Sequence, residues 1–114
     1  MNTKVLGSQG ELLAKNYLLK NKYKILCTNF TCVLGEIDII AQQKDKTIVF
    51  VEVKARTTKR FGLPREAVTP YKQNKIKKVA LFYLQQTKNL DKNCRFDVVE
   101  ILEDNINHIQ NAFS

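Results

Sequence analysis

The chain has 114 residues, which is long enough for one compact domain with its own core, and its longest apolar runs are too short to cross a bilayer. The start of the sequence lacks a secretory pattern, and the three cysteines are an odd number without a CxxC spacing, so we expect reduced thiols in a cytoplasmic protein. Nineteen Lys and Arg residues against eleven Asp and Glu residues give a net charge of +8. This charge favours a polyanionic partner, either nucleic acid or an acidic membrane face. The alternative is that the lysine-rich surfaces serve only to keep the protein soluble.

The order of the elements follows from the hydrophobic periodicity and the turn residues. In chain order, the pattern predicts a helix over 7–21, strands over 23–30, 35–41 and 47–54, a helix from residue 70 onward, a strand over 95–102 and a short strand over 106–110. The polar segment 42–46 makes the second and third strands an antiparallel hairpin, and the helix between the third and fourth strands makes those two parallel. The order α-β-β-β-α-β predicts an α/β domain over residues 1–114, with helices flanking a mixed sheet.

Both predicted helices have one apolar face. In the second helix, Thr69 is the expected N-cap and Pro70 the first helical residue. The residues that we expect to face the sheet are Leu13, Ala14, Tyr17 and Leu18 in the first helix and Ile76, Val79, Ala80, Tyr83 and Leu84 in the second.

The side chains of the hairpin alternate between the two faces of the sheet. The residues expected on one face are Ile48, Phe50, Glu52 and Lys54 of the third strand and Glu36, Asp38 and Ile40 of the second, with Ile37, Ile39 and Ala41 on the opposite face. Facing residues in an antiparallel pair have a constant sum of numbers, and a turn centred on residues 43–45 gives a sum of 88 or 90, both even. Either register therefore places the acidic residues of the second strand beside Glu52 and Lys54.

This clustering of acidic residues needs a physical explanation. Both strands are otherwise rich in Val and Ile, as expected for a sheet covered on both faces, and carboxylates on a covered face repel one another and lose hydration. A bound Mg²⁺ or Mn²⁺ ion, which prefers oxygen ligands, would offset their charge. The alternative is a solvent-exposed sheet edge on which Glu36, Glu52 and Lys54 form weak ion pairs.

Glu11 is a further acidic candidate. It shares a helical face with Ala14 and Leu18, on the stripe expected to pack toward the sheet. From there it could reach the metal directly or through water. The alternative is a carboxylate near the start of the helix, marked by Gly7 and Gly10, where the helix dipole favours negative charge.

Four segments of the sequence together resemble a known family. They are Gly10-Glu11-x-x-Ala14, Gly35-Glu36-Ile37-Asp38, Val51-Glu52-Val53-Lys54-x-Arg56 and Arg95-Phe96-Asp97-Val98-Val99. In this order and spacing they resemble the YraN-like family of uncharacterised bacterial proteins, within the PD-(D/E)xK superfamily of restriction endonuclease-like and Holliday junction resolvase-like nucleases. Ile37 stands where the superfamily signature has proline, a departure that the YraN-like form shares. The resemblance implies a restriction endonuclease-like three-layer sandwich.

The same resemblance implies metal-dependent hydrolysis of phosphodiester bonds. The residues of the implied metal site are Asp38, Glu52, Glu11 and the backbone carbonyl of Val53. Lys54 would position or deprotonate the attacking water, or stabilise the developing negative charge. Glu36 is either a further residue of this catalytic group, around the metal or at a second metal, or a satisfied carboxylate at the strand end.

The segment after the third strand is basic. The candidate phosphate contacts are Arg56, Lys59, Arg60 and Arg65, extended by Lys72 and Lys75 at the start of the second helix. Phe61 lies among them and could stack on an unpaired base. The alternative is an ordinary surface loop whose Phe61 packs into the core.

Three functions remain open from the sequence. The first is a metal-dependent nuclease acting on DNA, including branched or flap structures, and the second is a non-catalytic module with the nuclease fold that binds nucleic acid or docks a partner. The third is a basic protein that associates with other proteins or membranes, which the lack of an amphipathic membrane helix disfavours. The complete acidic set with Lys54 favours the nuclease. We expect DNA ahead of RNA as partner and no membrane, and a homodimer is the assembly that resolvase-like proteins often form.

Overall fold

The structure, a computed structural model, describes residues 3–56 and 68–114, with side chains from residue 9 onward within those ranges. Its elements are α1 (Thr3–Lys20), β1 (Lys24–Cys32), β2 (Gly35–Gln42), β3 (Ile48–Arg56), α2 (Pro70–Gln86), β4 (Cys94–Leu102) and β5 (Asn105–Phe113). The predicted order of helices and strands is confirmed. α1 begins four residues earlier than predicted, and β5 is longer than the predicted strand because its pairing with β4 reaches Phe113.

The five strands form a mixed sheet in the order β1-β2-β3-β4-β5. β3 and β4 are parallel, as the intervening helix predicts, and the other neighbours are antiparallel. In the β2–β3 hairpin, Ile39 faces Val51 and Gln42 faces Ile48, so the numbers of facing residues sum to 90. The predicted hairpin and its even register are therefore confirmed.

The two helices cover opposite faces of the sheet. Ile48 and Phe50 of β3 lie in the core beneath α2, whereas Val49 and Val51 lie in the core beneath α1. The alternation predicted for this strand is confirmed, and the architecture is a three-layer α/β arrangement. In the part of the chain that the structure describes, no helix combines the length and the apolar composition that crossing a membrane requires.

The helical faces are partly as predicted. The five apolar residues expected on the inner face of α2 are all buried. In α1 the prediction holds for Ala14 and Leu18, which are fully buried, but it is wrong for Leu13, which is 41% exposed. The line of contact runs through Gly10, Ala14 and Leu18, four residues apart, and this turns Leu13 to the side of the helix. A Cβ atom at Gly10 would lie only 2.8 Å from the Cβ atom of Ala55 on β3.

β2 departs from strict alternation at Ile37. The period of two predicts this side chain on the α1 face with Ile39, but it packs in the core beneath α2, where its strand partner Phe30 also lies. The described pairing between β2 and β3 runs from Ile39 to Gln42. Ile37 therefore lies beyond the described β2–β3 ladder, in a part of β2 that pairs with β1.

A buried carboxylate joins β4 to β5. Asp97 is 0% exposed, and the Arg95 guanidinium donates to both of its oxygens at 2.9 Å. His108 Nε2 lies 2.7 Å from Asp97 Oδ2, and the Asn111 amide donates to Oδ1 at 2.9 Å. Arg95 and Asp97 thus form a structural ion pair near the start of β4. Burial opposes ionisation of Asp97, but the hydrogen bonds from His108, Arg95 and the Asn111 amide outweigh it and hold its pKa below the ordinary value.

We expect Asp97→Asn to lower the free energy of unfolding by about 3 kcal/mol near neutral pH, because it leaves the Arg95 charge without its buried partner. Urea denaturation measures this loss. The depressed pKa means that the carboxylate stabilises the fold above its unfolded pKa and that this stability is lost as the pH falls through the folded pKa. The two proteins should therefore converge in acid. The exposed Asp91→Asn is the matched control, and an equal loss in both variants would contradict the assignment.

Candidate functional site

Two carboxylates meet where the β2–β3 ladder ends. The register places Asp38 opposite Glu52, one position beyond the pair of Ile39 and Val51. Asp38 Oδ2 accepts a hydrogen bond from the Val53 amide at 2.8 Å, so a side chain takes the place that a backbone carbonyl has in the ladder. Glu52 is only 6% exposed, and Asp38 is half-buried. The two acidic groups thus lie side by side at the end of the described β2–β3 ladder.

The ionisation of Asp38 depends on the charges around it. Burial and the neighbouring Glu52 charge raise the pKa of Asp38 to about 7, against the lowering effect of the Val53 amide. The Glu11 carboxylate on α1 raises this pKa further, which places Glu11 within electrostatic reach of Asp38. The site is therefore short of positive charge, and a cation beside it would favour the ionised form of Asp38.

Two lysines approach Glu52 from different elements. Lys54 Nζ lies 3.7 Å from Glu52 Oε1, which confirms the expected proximity of this lysine to the acidic pair. Lys72 Nζ, from the first turn of α2, lies closer, at 2.7 Å from the same oxygen. The Thr69 side chain caps α2 by accepting the Lys72 amide at 3.2 Å, so the predicted N-cap also positions this lysine. The sequence placed Lys72 in an outer basic patch, and its contact with Glu52 was not foreseen.

The two ammonium groups have different electrostatic surroundings. Burial opposes the charge on Lys72, but its hydrogen bond to Glu52 and the Glu52 charge outweigh it and raise its pKa. Burial and the adjacent Lys72 charge lower the pKa of Lys54, although Glu52 acts in the other direction. Lys72 is therefore the firmer counter-charge of Glu52, and Lys54 is the lysine that gives up its proton more readily.

A cavity of about 390 Å³ opens beside these groups. Its wall includes Glu36, Asp38, Glu52, Tyr71, Lys72 and Lys75. A second depression, of about 490 Å³, lies beside Tyr17 and His108, and the acidic residue in its described lining is Asp45, on the surface. The paired acidic groups therefore distinguish the smaller of these two cavities as the candidate functional site.

The other two acidic candidates differ in their surroundings. Glu36 is exposed, and its Oε2 atom accepts a hydrogen bond from the Thr31 hydroxyl at 3.3 Å, as a satisfied strand-end carboxylate does. Glu11 is half-buried and lies well inside α1, which begins at Thr3. The helix-dipole alternative for Glu11 is wrong, because that effect is confined to the first turn. Within the described ranges, no three His, Cys, Asp or Glu side chains converge closely enough to hold a metal ion.

The candidate phosphate contacts are divided between described and undescribed parts of the chain. The Arg56 side chain, 12% exposed, forms an ion pair with the buried Glu100 and so joins β3 to β4. This position does not offer its charge to an outside phosphate. The residues Lys59, Arg60, Phe61 and Arg65 lie outside the described residues, and their contacts stay predictions.

We expect Asp38→Asn to stabilise the protein above pH 7 in the presence of a chelator, by an amount on the order of 2 kcal/mol. The asparagine removes the repelled charge and still offers an oxygen to the Val53 amide. Between the ordinary pKa of 3.8 and the folded value of about 7, the folded protein binds a proton that the unfolded chain does not, so wild-type stability falls as the pH rises through this window.

Urea denaturation of both proteins across that pH range measures the difference, which should grow with pH. Asp104→Asn, an exposed carboxylate in the β4–β5 turn, is the matched control and should behave as wild type. A variant no more stable than wild type above pH 7 would show that Glu52 and Asp38 do not repel each other as described.

Similarity to known proteins extends over most of the chain. The family model of the uncharacterised protein family UPF0102 matches residues 10–101. UPF0102 proteins from Geobacter metallireducens and Caldicellulosiruptor bescii are 50% and 54% identical, covering 99% and 96% of this chain and 95% and 92% of the relatives. A UPF0102 protein from Caldanaerobacter subterraneus subsp. tengcongensis is 48% identical over 99% of this chain and 98% of its own. The membership predicted from the four motifs is confirmed: the chain belongs to the uncharacterised protein family UPF0102.

Proposed function

We propose that this protein is a metal-dependent nuclease with a restriction endonuclease-like fold, which hydrolyses phosphodiester bonds in DNA, including branched or flap structures. The observation that carries the proposal is the meeting of Asp38 and Glu52 at the end of the β2–β3 ladder, with Lys54 paired to Glu52. The simpler alternative, a solvent-exposed sheet edge, does not fit the burial of Glu52. Groups whose mutual repulsion shifts a pKa in this way are concentrated at functional sites.

The donor atoms fit a hard divalent cation. Asp38 and Glu52 offer carboxylate oxygens, the ligands that Mg²⁺ and Mn²⁺ prefer, and Glu11 is close enough to affect Asp38. Lys72 Nζ, 2.7 Å from Glu52, supplies positive charge at this place in the structure. When bound, the cation would lower the pKa of a water molecule and neutralise charge that builds on the phosphate.

The lysines take separate roles in this proposal. The lowered pKa of Lys54 suits it to hold the attacking water and to accept its proton. Lys72 and Lys75 line the cavity from the start of α2, where they would bind the phosphate group next to the scissile bond. Arg56 is left out of this set because it pairs with Glu100.

One observation favours a second candidate, a non-catalytic module of the same fold that binds nucleic acid or docks a partner. Lys72 neutralises Glu52 without a metal, and the described side chains do not form a three-ligand group. A site of this kind would keep its basic cavity and still bind a nucleic acid backbone. Metal binding and cleavage separate the two candidates.

Divalent metal should stabilise the folded protein by mass action. With Mn²⁺ at about a hundredfold excess over its dissociation constant, the gain is about 2.7 kcal/mol, which a thermal unfolding scan records as a higher Tm. We expect Asp38→Asn to lose most of this shift and the exposed Asp91→Asn to keep it. Equal shifts in wild type and Asp38→Asn would remove the metal site from the proposal.

Cleavage is tested with labelled duplex, single-stranded, flap and four-way-junction DNA in Mg²⁺ or Mn²⁺. We expect wild type to cut at least one of these substrates and Glu52→Gln to cut none. Lys54→Ala should bind DNA as before but cleave it about a hundredfold more slowly, because a group that transfers or positions a proton contributes on that order.

Contaminating nucleases are controlled by purifying Glu103→Gln in parallel, since this exposed residue in the β4–β5 turn is remote from the acidic pair and the variant should cut as wild type does. Cutting that persists in Glu52→Gln does not count as activity of this protein. If neither DNA nor RNA is cut while binding persists, the non-catalytic module is the correct function.

A further inference from the structure

An exposed aromatic ring lies at the wall of the acidic cavity. Tyr71, in the first turn of α2, is 73% exposed and lines the same cavity as Asp38 and Glu52. The other tyrosines of the chain are buried or half-buried and contact other aromatic rings; they are Tyr17, Tyr23 and Tyr83. A ring as exposed as that of Tyr71 contributes little to packing, so the fold does not explain it.

Two lysines share the cavity wall with this ring. Lys75 Nζ is 5.6 Å from the centroid of the Tyr71 ring, and a cation over the face of a ring is attracted to its electrons and orients it. Lys72, the next residue in the chain, points into the cavity toward Glu52. The Thr69 cap and Pro70 hold this first turn of α2 in place. The ring is therefore presented on a capped helical turn, in a cavity wall that also carries the two lysines.

We propose that Tyr71 stacks on an unpaired nucleobase, so that the cavity takes DNA with a single strand, flap or branch at the bound phosphate and not a continuous duplex. The inference rests on the proposed function in taking the bound polymer to be DNA. Aromatic rings interleaved with backbone-binding cations are the general means of holding single-stranded nucleic acid. The cavity, about 390 Å³, is of the size that holds one small ligand, and bases in a continuous duplex are stacked on each other and not available to the ring.

The test is equilibrium binding in a chelator, where a metal-dependent enzyme does not cleave. Fluorescence anisotropy is measured with a single strand, a flap and a blunt duplex of the same sequence. Tyr71→Ala should weaken binding of the single strand and the flap about tenfold and leave the blunt duplex unchanged. Tyr71→Phe keeps a ring and should bind as wild type does. Leu81→Ala, which shortens another exposed side chain of α2, is the matched control and should change nothing.

Stacking itself is read from 2-aminopurine placed in the single-stranded segment, because its fluorescence is quenched when an aromatic ring stacks on it. We expect quenching by wild type and Tyr71→Phe and its loss in Tyr71→Ala. Three results would overturn the inference: equal weakening of all three DNAs by Tyr71→Ala, no weakening of any, or no DNA binding by wild type. A different result, quenching without cleavage in any metal, would support the stacking role while rejecting catalysis.

Discussion

Repulsion between two carboxylates within one hairpin is the constraint around which the acidic site is arranged. Asp38 and Glu52 are neighbours because each is the next residue beyond the pair of Ile39 and Val51, where the described β2–β3 ladder ends. A shift of one residue would turn every side chain of the strand to the other face. That shift is unfavourable because both faces of β3 are buried. Val49 and Val51, which pack beneath α1, would exchange faces with Phe50 and Glu52. The packing of the whole sheet therefore holds together two groups that favour separation.

The two aspartates of the sheet show how the same side chain acquires opposite properties. Asp97 has donors from Arg95 and a backbone amide on the α1 side of the molecule, and its pKa is depressed. Asp38 has the Val53 amide as a donor but faces Glu52, and its pKa is raised. Asp97 therefore contributes stability at neutral pH, whereas Asp38 lowers it. A protein that retains the second arrangement gives up stability at Asp38, while the hydrogen-bond network around Asp97 contributes it.

Much of the fold was predictable because it depends on local periodicity. The alternation along β3 follows from a period of two, and the inner face of α2 follows from a period of 3.6 residues per turn, so both could be identified from the sequence alone. The length of the turn between β2 and β3 predicted that the numbers of facing residues sum to an even value, which is 90 in the structure. These features depend on neighbours in the chain, which the sequence displays directly.

The errors and omissions involve contacts between distant elements. Leu13 is exposed because Gly10 sets the contact line of α1, which no amphipathic pattern reveals. The contact of Lys72 with Glu52 joins α2 to β3 across a segment of the chain that carries no local pattern linking them. The ion pair between Arg56 and Glu100 depends on the parallel pairing of β3 and β4, which brings together residues far apart in sequence.

The missing side chain at Gly10 links the pKa of Asp38 to the distance between α1 and the sheet. Because a Cβ atom there would be 2.8 Å from that of Ala55, α1 rests closer to β3 than any larger residue would allow. Glu11 is the next residue along the helix, and its influence on Asp38 diminishes with separation. A relative that kept every acidic residue but replaced this glycine would seat the helix farther out, and its Asp38 would titrate at a lower pH. Comparing acidic motifs alone would not reveal that difference between two members of the family.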